Sequence, residues 1–177
     1  MSADVCIMVG SIRKDSHSLR VAGMLAGLLK KSGKAAEVID PRSLRFVVPH
    51  HPDDDGGSSE LAAKLQAQVQ AAEKIIFITP EYDGSYSAVS KILIEHLGYP
   101  SVLAGKPVSV IGVATGRIGA YRAIEHLRGV LLHIGAYVCP ALLSLAEVHK
   151  SAAAEETADL EQKLSRHLNE LLAFRIA

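Results

Sequence analysis

Val5-Cys6-Ile7-Met8-Val9-Gly10-Ser11-Ile12-Arg13-Lys14-Asp15-Ser16-His17-Ser18-Leu19 is the stretch that decides the fold. Its apolar run, Val5–Val9, reads as a buried strand. Leu19, Ala22, Ala26 and Leu29 then recur at helical spacing and predict a helix from about Ser16 to Lys31. Lys30 and Lys31 close its last turn, and Gly33 is the stop. The polar residues between are therefore a strand-to-helix turn. They bring Gly10, the hydroxyls of Ser11, Ser16 and Ser18, and the cations Arg13 and Lys14 to the head of a helix. A helix N-terminus offers unpaired amides and a partial positive charge. Two readings follow: a pocket for the phosphate ester of a cofactor, or a polar loop whose serines only cap the helix. The stretch alone leaves both open.

The chain has 177 residues, which suits one domain spanning 1–177, and 49% of them are hydrophobic, enough for a sizeable core. Nineteen basic residues balance nineteen acidic ones, which gives no electrostatic reason to expect nucleic acid as a partner. Cys6 and Cys139 sit inside apolar runs, as small core residues rather than a disulfide or metal pair. No apolar stretch approaches the roughly 18 residues of a membrane span. Met1-Ser2-Ala3-Asp4 lacks the basic and apolar regions of a signal peptide. A cytoplasmic protein with no membrane or nucleic-acid partner is expected.

Outward from the first turn, strands and helices alternate. Ala36–Asp40 is a second strand, ended by Pro41. An irregular stretch follows and contains Pro49-His50-His51-Pro52-Asp53-Asp54-Asp55-Gly56-Gly57. It reads as a loop over a site or a partner contact in preference to a metal site, because adjacent His side chains diverge. A helix covers about Ser59 to Ala72, with Leu61, Leu65 and Val69 spaced by four. Lys74–Thr79 is a third strand, ended by Pro80, and a helix follows from Ala88 to Leu97. Val108–Ala114 is the fourth strand. Ile124, Leu127, Leu131 and Ile134 mark the core face of the next helix, which Gly135 stops. Ala136–Cys139 is the fifth strand, closed by Pro140. Ser151 caps a final helix to about residue 174, with Leu160, Leu164, Leu168 and Leu171 as its buried stripe. The expectation is an α/β, doubly wound, five-stranded parallel sheet with helices on both faces; right-handed crossovers restrict its strand order to a few, and 2-1-3-4-5 is the one adopted.

Open parallel sheets bind ligands outside the carboxyl ends of their strands, at the topological switch point. The loops after the first, third and fourth strands are the most polar and oddly composed of the chain, and in a 2-1-3-4-5 order they would be neighbours. The first offers phosphate ligands. The second, Pro80-Glu81-Tyr82-Asp83-Gly84-Ser85, offers backbone amides and aromatic surface. The third, Thr115-Gly116-Arg117-Ile118-Gly119, lets a flat ligand approach the backbone. A planar ring on a phosphate-bearing tail fits that set. Walker A, G-x-S-x-G, H-E-x-x-H and C-x5-R signatures are absent from the sequence.

Gly10-Ser11-x-Arg13-x-x-Ser16-x-Ser18, then Pro80–Ser85, then Gly116-x-x-Gly119 with Leu127-Arg128 and His133-x-Gly135-Ala136, together resemble the NADPH-dependent FMN reductase family over about residues 4–148. That family is flavodoxin-like and includes chromate, quinone and azo-dye reductases. The resemblance implies bound FMN, with NAD(P)H as hydride donor. A quinone, azo compound, metal oxyanion or similar small molecule is the acceptor. The flavin carries the chemistry, with no catalytic side chain and no metal. Ser11, Arg13, Ser16, His17 and Ser18 would surround the phosphate. Pro80, Glu81, Tyr82, Asp83, Gly84 and Ser85 would run along one ring edge, and Thr115, Gly116 and Gly119 would flank the other. A homodimer or homotetramer is implied, with Arg122 and Glu147 matching an inter-subunit polar network. Three features depart from the pattern: Asp83 stands where Asn is usual, Ser87-Ala88 replaces Pro-Gly, and Lys91–His96 replaces a Lys-Asn-x-x-Asp-Trp helix. Asp83 reads equally as a solvent-facing helix cap. The alternative to an enzyme is a non-catalytic flavin-binding or regulatory module of the same fold. His126, His133 and His149 read as structural or solvated.

Overall fold

Val5, Cys6, Ile7, Met8 and Val9 are fully buried and form β1 (Val5–Val9), an interior strand of the sheet. The computed structural model describes residues 3–44, 48–49, 57–150 and 154–176. After β1 come α1 (His17–Lys31), β2 (Ala36–Ile39), a 3-10 turn at Pro41–Ser43, α2 (Gly57–Ala71), β3 (Lys74–Tyr82), β4 (Ser85–Tyr86) and α3 (Ala88–Glu95). The chain continues through β5 (Pro107–Val113), α4 (Tyr121–His133), β6 (Tyr137–Leu145) and α5 (Ala154–Ala173). Five strands run parallel in the order β2-β1-β3-β5-β6, and β4 pairs antiparallel with the end of β3. This is the expected order, renumbered by one short strand that the sequence reads as loop.

Alternation along each strand sends side chains to opposite faces. Cys6, Met8, Ile75, Phe77, Val108 and Val110 meet α2, α3 and α4 through Leu65, Val69, Leu93, Ile124, Leu127 and Leu131. Val5, Ile7, Val9, Ile76, Ile78 and Ile111 meet α1 and α5 through Val21, Leu25, Leu29, Leu160, Leu164, Leu168 and Leu171. The helices thus cover both faces, as the doubly wound expectation requires. Cys6 and Cys139 are free and lie in opposite layers. Burial pushes the Cys6 thiol up to about 12, so it is an inert core group.

Two prolines do not act as stops. Pro80 lies within β3 and pairs with Val113 of β5. Its missing N–H removes one donor, but its fixed φ suits extended chain, and β4 holds the two residues beyond it. Pro140 lies within β6, where the β5–β6 register shifts between Val108 and Val110. An edge strand with a bulge tolerates a lost donor that a central strand would not. Helix α3 ends at Glu95, two residues before the expected Leu97. The His50–Gly56 stretch and the Ser151 cap lie outside the described residues. Among the described residues there is no group of His, Cys, Asp or Glu arranged to hold a metal, and no helix long and apolar enough to cross a membrane.

His167 joins α5 to β5 beneath the sheet. It is 3% exposed, and its Nε2 lies 3.1 Å from Ser109 Oγ. Burial lowers its pKa to about 4. The unfolded chain takes up this proton near pH 6.5 and the folded chain does not, so stability is lost as pH falls. Between pH about 6.5 and 4 the loss from this group is on the order of 3 kcal/mol. Urea midpoints across that window should fall more steeply for the parent than for His167→Gln, and parallel slopes would remove His167 as the cause.

Candidate functional site

The carboxyl ends of β1, β3 and β5 set the floor of the site. Val9 pairs with Ile78, and the Gly10 amide donates to the Ile78 carbonyl at 2.7 Å, extending β1 by one residue along β3. The chain then turns into α1. Ser16 is the N-cap, its Oγ accepting from Leu19 N at 3.2 Å. The capping reading is therefore correct for Ser16. Ser11 Oγ accepts from Arg13 N at 3.4 Å, and Ser11 and Ser18 are buried. Arg42, which also bonds Asp40, donates to the Lys14 carbonyl at 3.2 Å and braces the turn from outside.

Ser11, Arg13, Ser16, His17 and Ser18 form one wall of a groove of about 520 Å³, including its open mouth, with Asp15 beside them. Pro80, Glu81, Tyr82, Val113, Ala114, Thr115 and Val148 form the other wall. Desolvation, and then the nearby Arg20, His149 and Arg13, hold the His17 pKa below its ordinary value. A second groove shares Glu81, Ala114 and Thr115 with the first, so the two are continuous. It passes Asp83, Gly84, Gly116, Arg117, Ile118, Gly119, Tyr121 and Arg122. The structure thus brings together the three loops expected at the switch point. Of the predicted site residues, only Ser85 lines neither groove; its Oγ lies 3.0 Å from His126 Nδ1. His126, read from sequence as structural or solvated, braces the loop that carries the site.

Asp83 and Gly84 have φ of 49° and 72° and turn β3 back into β4. Asp-Gly with both φ positive is the favoured two-residue hairpin turn. Asp83 is therefore a turn residue. The cap of α3 is Ser87, whose Oγ accepts from Ser90 N at 3.1 Å. Glu81 is spent on α4: its Oε2 accepts from Ala123 N at 3.3 Å. Ser144 Oγ accepts from Ala120 N at 2.8 Å. Gly119 must be glycine, because its φ is 80° and an added Cβ would lie 2.3 Å from Ser144 Oγ.

Sequence reasoning also missed what lies beneath the turn. Thr79, Ser87 and Ser90 are buried against Gly10. Arg20 donates to the Val148 carbonyl at 3.1 Å, fixing the loop after β6 against α1. The only signal for the first set was serine at positions where a buried helix face calls for apolar residues.

Glu147, at φ 48°, pairs with Lys150 at 2.5 Å within its own loop. The groove has hydroxyls, the Arg13 guanidinium, the Asp15 carboxylate and helix amides at one end, and the Asp83–Gly84 turn and the Gly116–Gly119 loop with Arg117 and Arg122 at the other. That donor set fits a flat ligand with a phosphate tail, such as FMN.

The family model described as NADPH-dependent FMN reductase matches residues 3–150. A 2-hydroxy-1,4-benzoquinone reductase from Burkholderia sp is 32% identical over 137 residues, covering 76% of this chain and 73% of that one. The solved structure of FerB from Paracoccus denitrificans, a flavoenzyme NAD(P)H:(acceptor) oxidoreductase, is 28% identical. It superposes with a TM-score of 0.76, covering 96% of this chain and 97% of that one. A mutant flavodoxin from Pseudomonas aeruginosa, at 20% identity and a TM-score of 0.64 over 96% of this chain and 99% of that one, shares the fold.

Gly119→Ala should destabilise the chain by about 1–3 kcal/mol, because a Cβ is strained at positive φ and meets Ser144. The denaturant midpoint reads this directly. An unchanged midpoint would show that the loop does not need its left-handed residue.

Proposed function

The chain belongs to the NADPH-dependent FMN reductase family, and from that premise we propose how its own residues hold FMN and what acceptor they admit. It is an FMN-dependent NAD(P)H oxidoreductase of flavodoxin-like fold. The observation that carries the placement is the continuous groove from the head of α1 to the Gly116–Gly119 loop.

Ser11, Arg13, Ser16, His17 and Ser18 bind the phosphate. The guanidinium supplies a fixed charge, and the hydroxyls and the first amides of α1 supply directional donors. The backbone of Pro80, Glu81, Tyr82, Asp83, Gly84 and Ser85 borders one edge of the ring, and Thr115, Gly116 and Gly119 border the other. When bound, FMN supplies the hydride acceptor for NAD(P)H and the electron donor for the second substrate. Tyr82, Ile118 and Tyr121 are 39%, 81% and 64% exposed around the ring end and give it an apolar rim. A planar, largely apolar acceptor of quinone type is favoured there, consistent with the quinone reductases among the relatives. The Asp83 carboxylate opposes the build-up of negative charge on a bound ring, an effect that water screens at this exposed turn. The working protein is a cytoplasmic homodimer or homotetramer built from one flavodoxin-like domain, a reading that rests on the family.

Purified protein mixed with FMN and titrated anaerobically with NADPH should bleach the flavin, and a quinone should then restore it. A flavin that stays oxidised would overturn the reductase reading. Arg13→Ala removes a charge-assisted bond of about 1.5–3 kcal/mol and should weaken FMN binding by roughly 10- to 150-fold. Titration of flavin fluorescence measures it, and equal affinity in parent and variant would exclude Arg13 from the phosphate site.

A further inference from the structure

Gly10 is held more tightly than a turn residue needs to be. Its amide donates to Ile78 O at 2.7 Å, and its carbonyl accepts from Ser87 Oγ at 2.5 Å. A Cβ on Gly10 would lie 2.1 Å from Ser90 Oγ, so the serine hydroxyl fills the space that glycine leaves. Ser87 Oγ in turn accepts from Ser90 N at 3.1 Å and lies 3.0 Å from Ser90 Oγ. Ser90 Oγ donates to Thr79 Oγ1 at 3.0 Å, which also accepts from Ser87 N at 3.3 Å. Thr79 Oγ1 donates to Pro80 O at 3.1 Å.

Thr79, Ser87 and Ser90 are 0%, 1% and 0% exposed. Buried hydroxyls without partners are costly, and here each proton has a defined acceptor. The direction of the bonds follows from the two ends. Carbonyls only accept, so Ser87 must give its proton to Gly10 and Thr79 must give its proton to Pro80. Gly10 starts the turn that carries Ser11 to Ser18. Pro80 starts the segment that borders the ring end. Three hydroxyls therefore tie the start of the phosphate-side turn to the start of the ring-side segment, and they reinforce the direct bond from Gly10 N to Ile78 O.

We propose that Thr79, Ser87 and Ser90 are a positioning unit that sets the distance between the phosphate end and the ring end of the cleft, and so makes the site select FMN over riboflavin. The inference rests on the FMN reading above. A flavin whose tail ends in a phosphate must engage both ends at once through a tether of limited reach. The gain from simultaneous engagement depends on the two ends being held at the matching span. Riboflavin engages only the ring end and does not feel that span. Loosening the tie therefore costs FMN its second anchor and leaves riboflavin almost unaffected.

The experiment is fluorescence titration of parent, Ser87→Ala, Ser90→Ala and Ser87→Thr with FMN and with riboflavin, with thermal melts alongside. The parent should prefer FMN at least 100-fold. Ser87→Ala and Ser90→Ala should weaken FMN at least tenfold and riboflavin less than twofold, while Ser87→Thr, which keeps the hydroxyl and the helix cap, retains the parent preference. Equal weakening of both flavins, as from general loss of structure, would overturn the positioning role. So would alanine variants that keep the full preference. A parent that binds neither flavin would overturn the FMN reading itself and this inference with it. A parent that binds both equally would overturn the selectivity alone.

Discussion

The parallel register between β1 and β3 is the constraint on which the rest of the molecule depends. Val9 sits opposite Ile78, and the next amide, that of Gly10, still bonds the Ile78 carbonyl. Both strands are buried on both faces, so a slip by one residue would send every apolar side chain to the opposite layer. Register therefore fixes the height at which each loop leaves the sheet. The turn after Gly10 and the segment after Thr79 begin side by side, and the loop after β5 begins next to Pro80 through the Pro80–Val113 pair. A cleft at the carboxyl edge is the geometric result of this pairing.

Most of the fold is legible in the sequence because it rests on apolar content and helical spacing. The five parallel strands follow from apolar runs separated by amphipathic segments, whereas their order does not, because right-handed crossovers leave a few orders open. Pro80 and Pro140 look like stops and are not, because proline's cost depends on which neighbours need its amide. That is a property of the sheet and not of the local sequence. Pro140 falls at an edge-strand bulge, and Pro80 leads into a hairpin that continues the extended chain. The β3–β4 hairpin carries its own signal, since Asp83-Gly84 is a strong two-residue turn. Its two-residue return strand is too short to show an alternating pattern, so the segment reads as loop.

The site is legible as a set of loops and much less as a set of roles. Ser11, Arg13, His17, Thr115 and Gly116 line the groove as expected. Glu81 also lines it, yet its carboxylate is committed to Ala123 N, and Ser85 is turned to His126. Such commitments depend on the height of α4 relative to β3, which no spacing rule contains. The buried hydroxyls of Thr79, Ser87 and Ser90 are invisible for a related reason. Serine in sequence looks like surface, and only its depth beneath Gly10 shows otherwise.

Two helix heads face the cleft, and their chemistry differs. At α4 the amides of Ala120 and Ala123 already bond Ser144 Oγ and the Glu81 carboxylate. A carboxylate at a helix N-terminus also offsets the positive end of the dipole, so α4 has little left to offer an anion. At α1 the cap is the neutral Ser16, there is no acidic residue in the first turn, and Arg13 stands beside it. The first amides of that helix have no acceptor within the helix. Asp15 lies beside Arg13 at this end, and Arg117 and Arg122 line the other groove, so what distinguishes α1 is its unspent amides and not a net charge, and the proposed phosphate site rests on those amides.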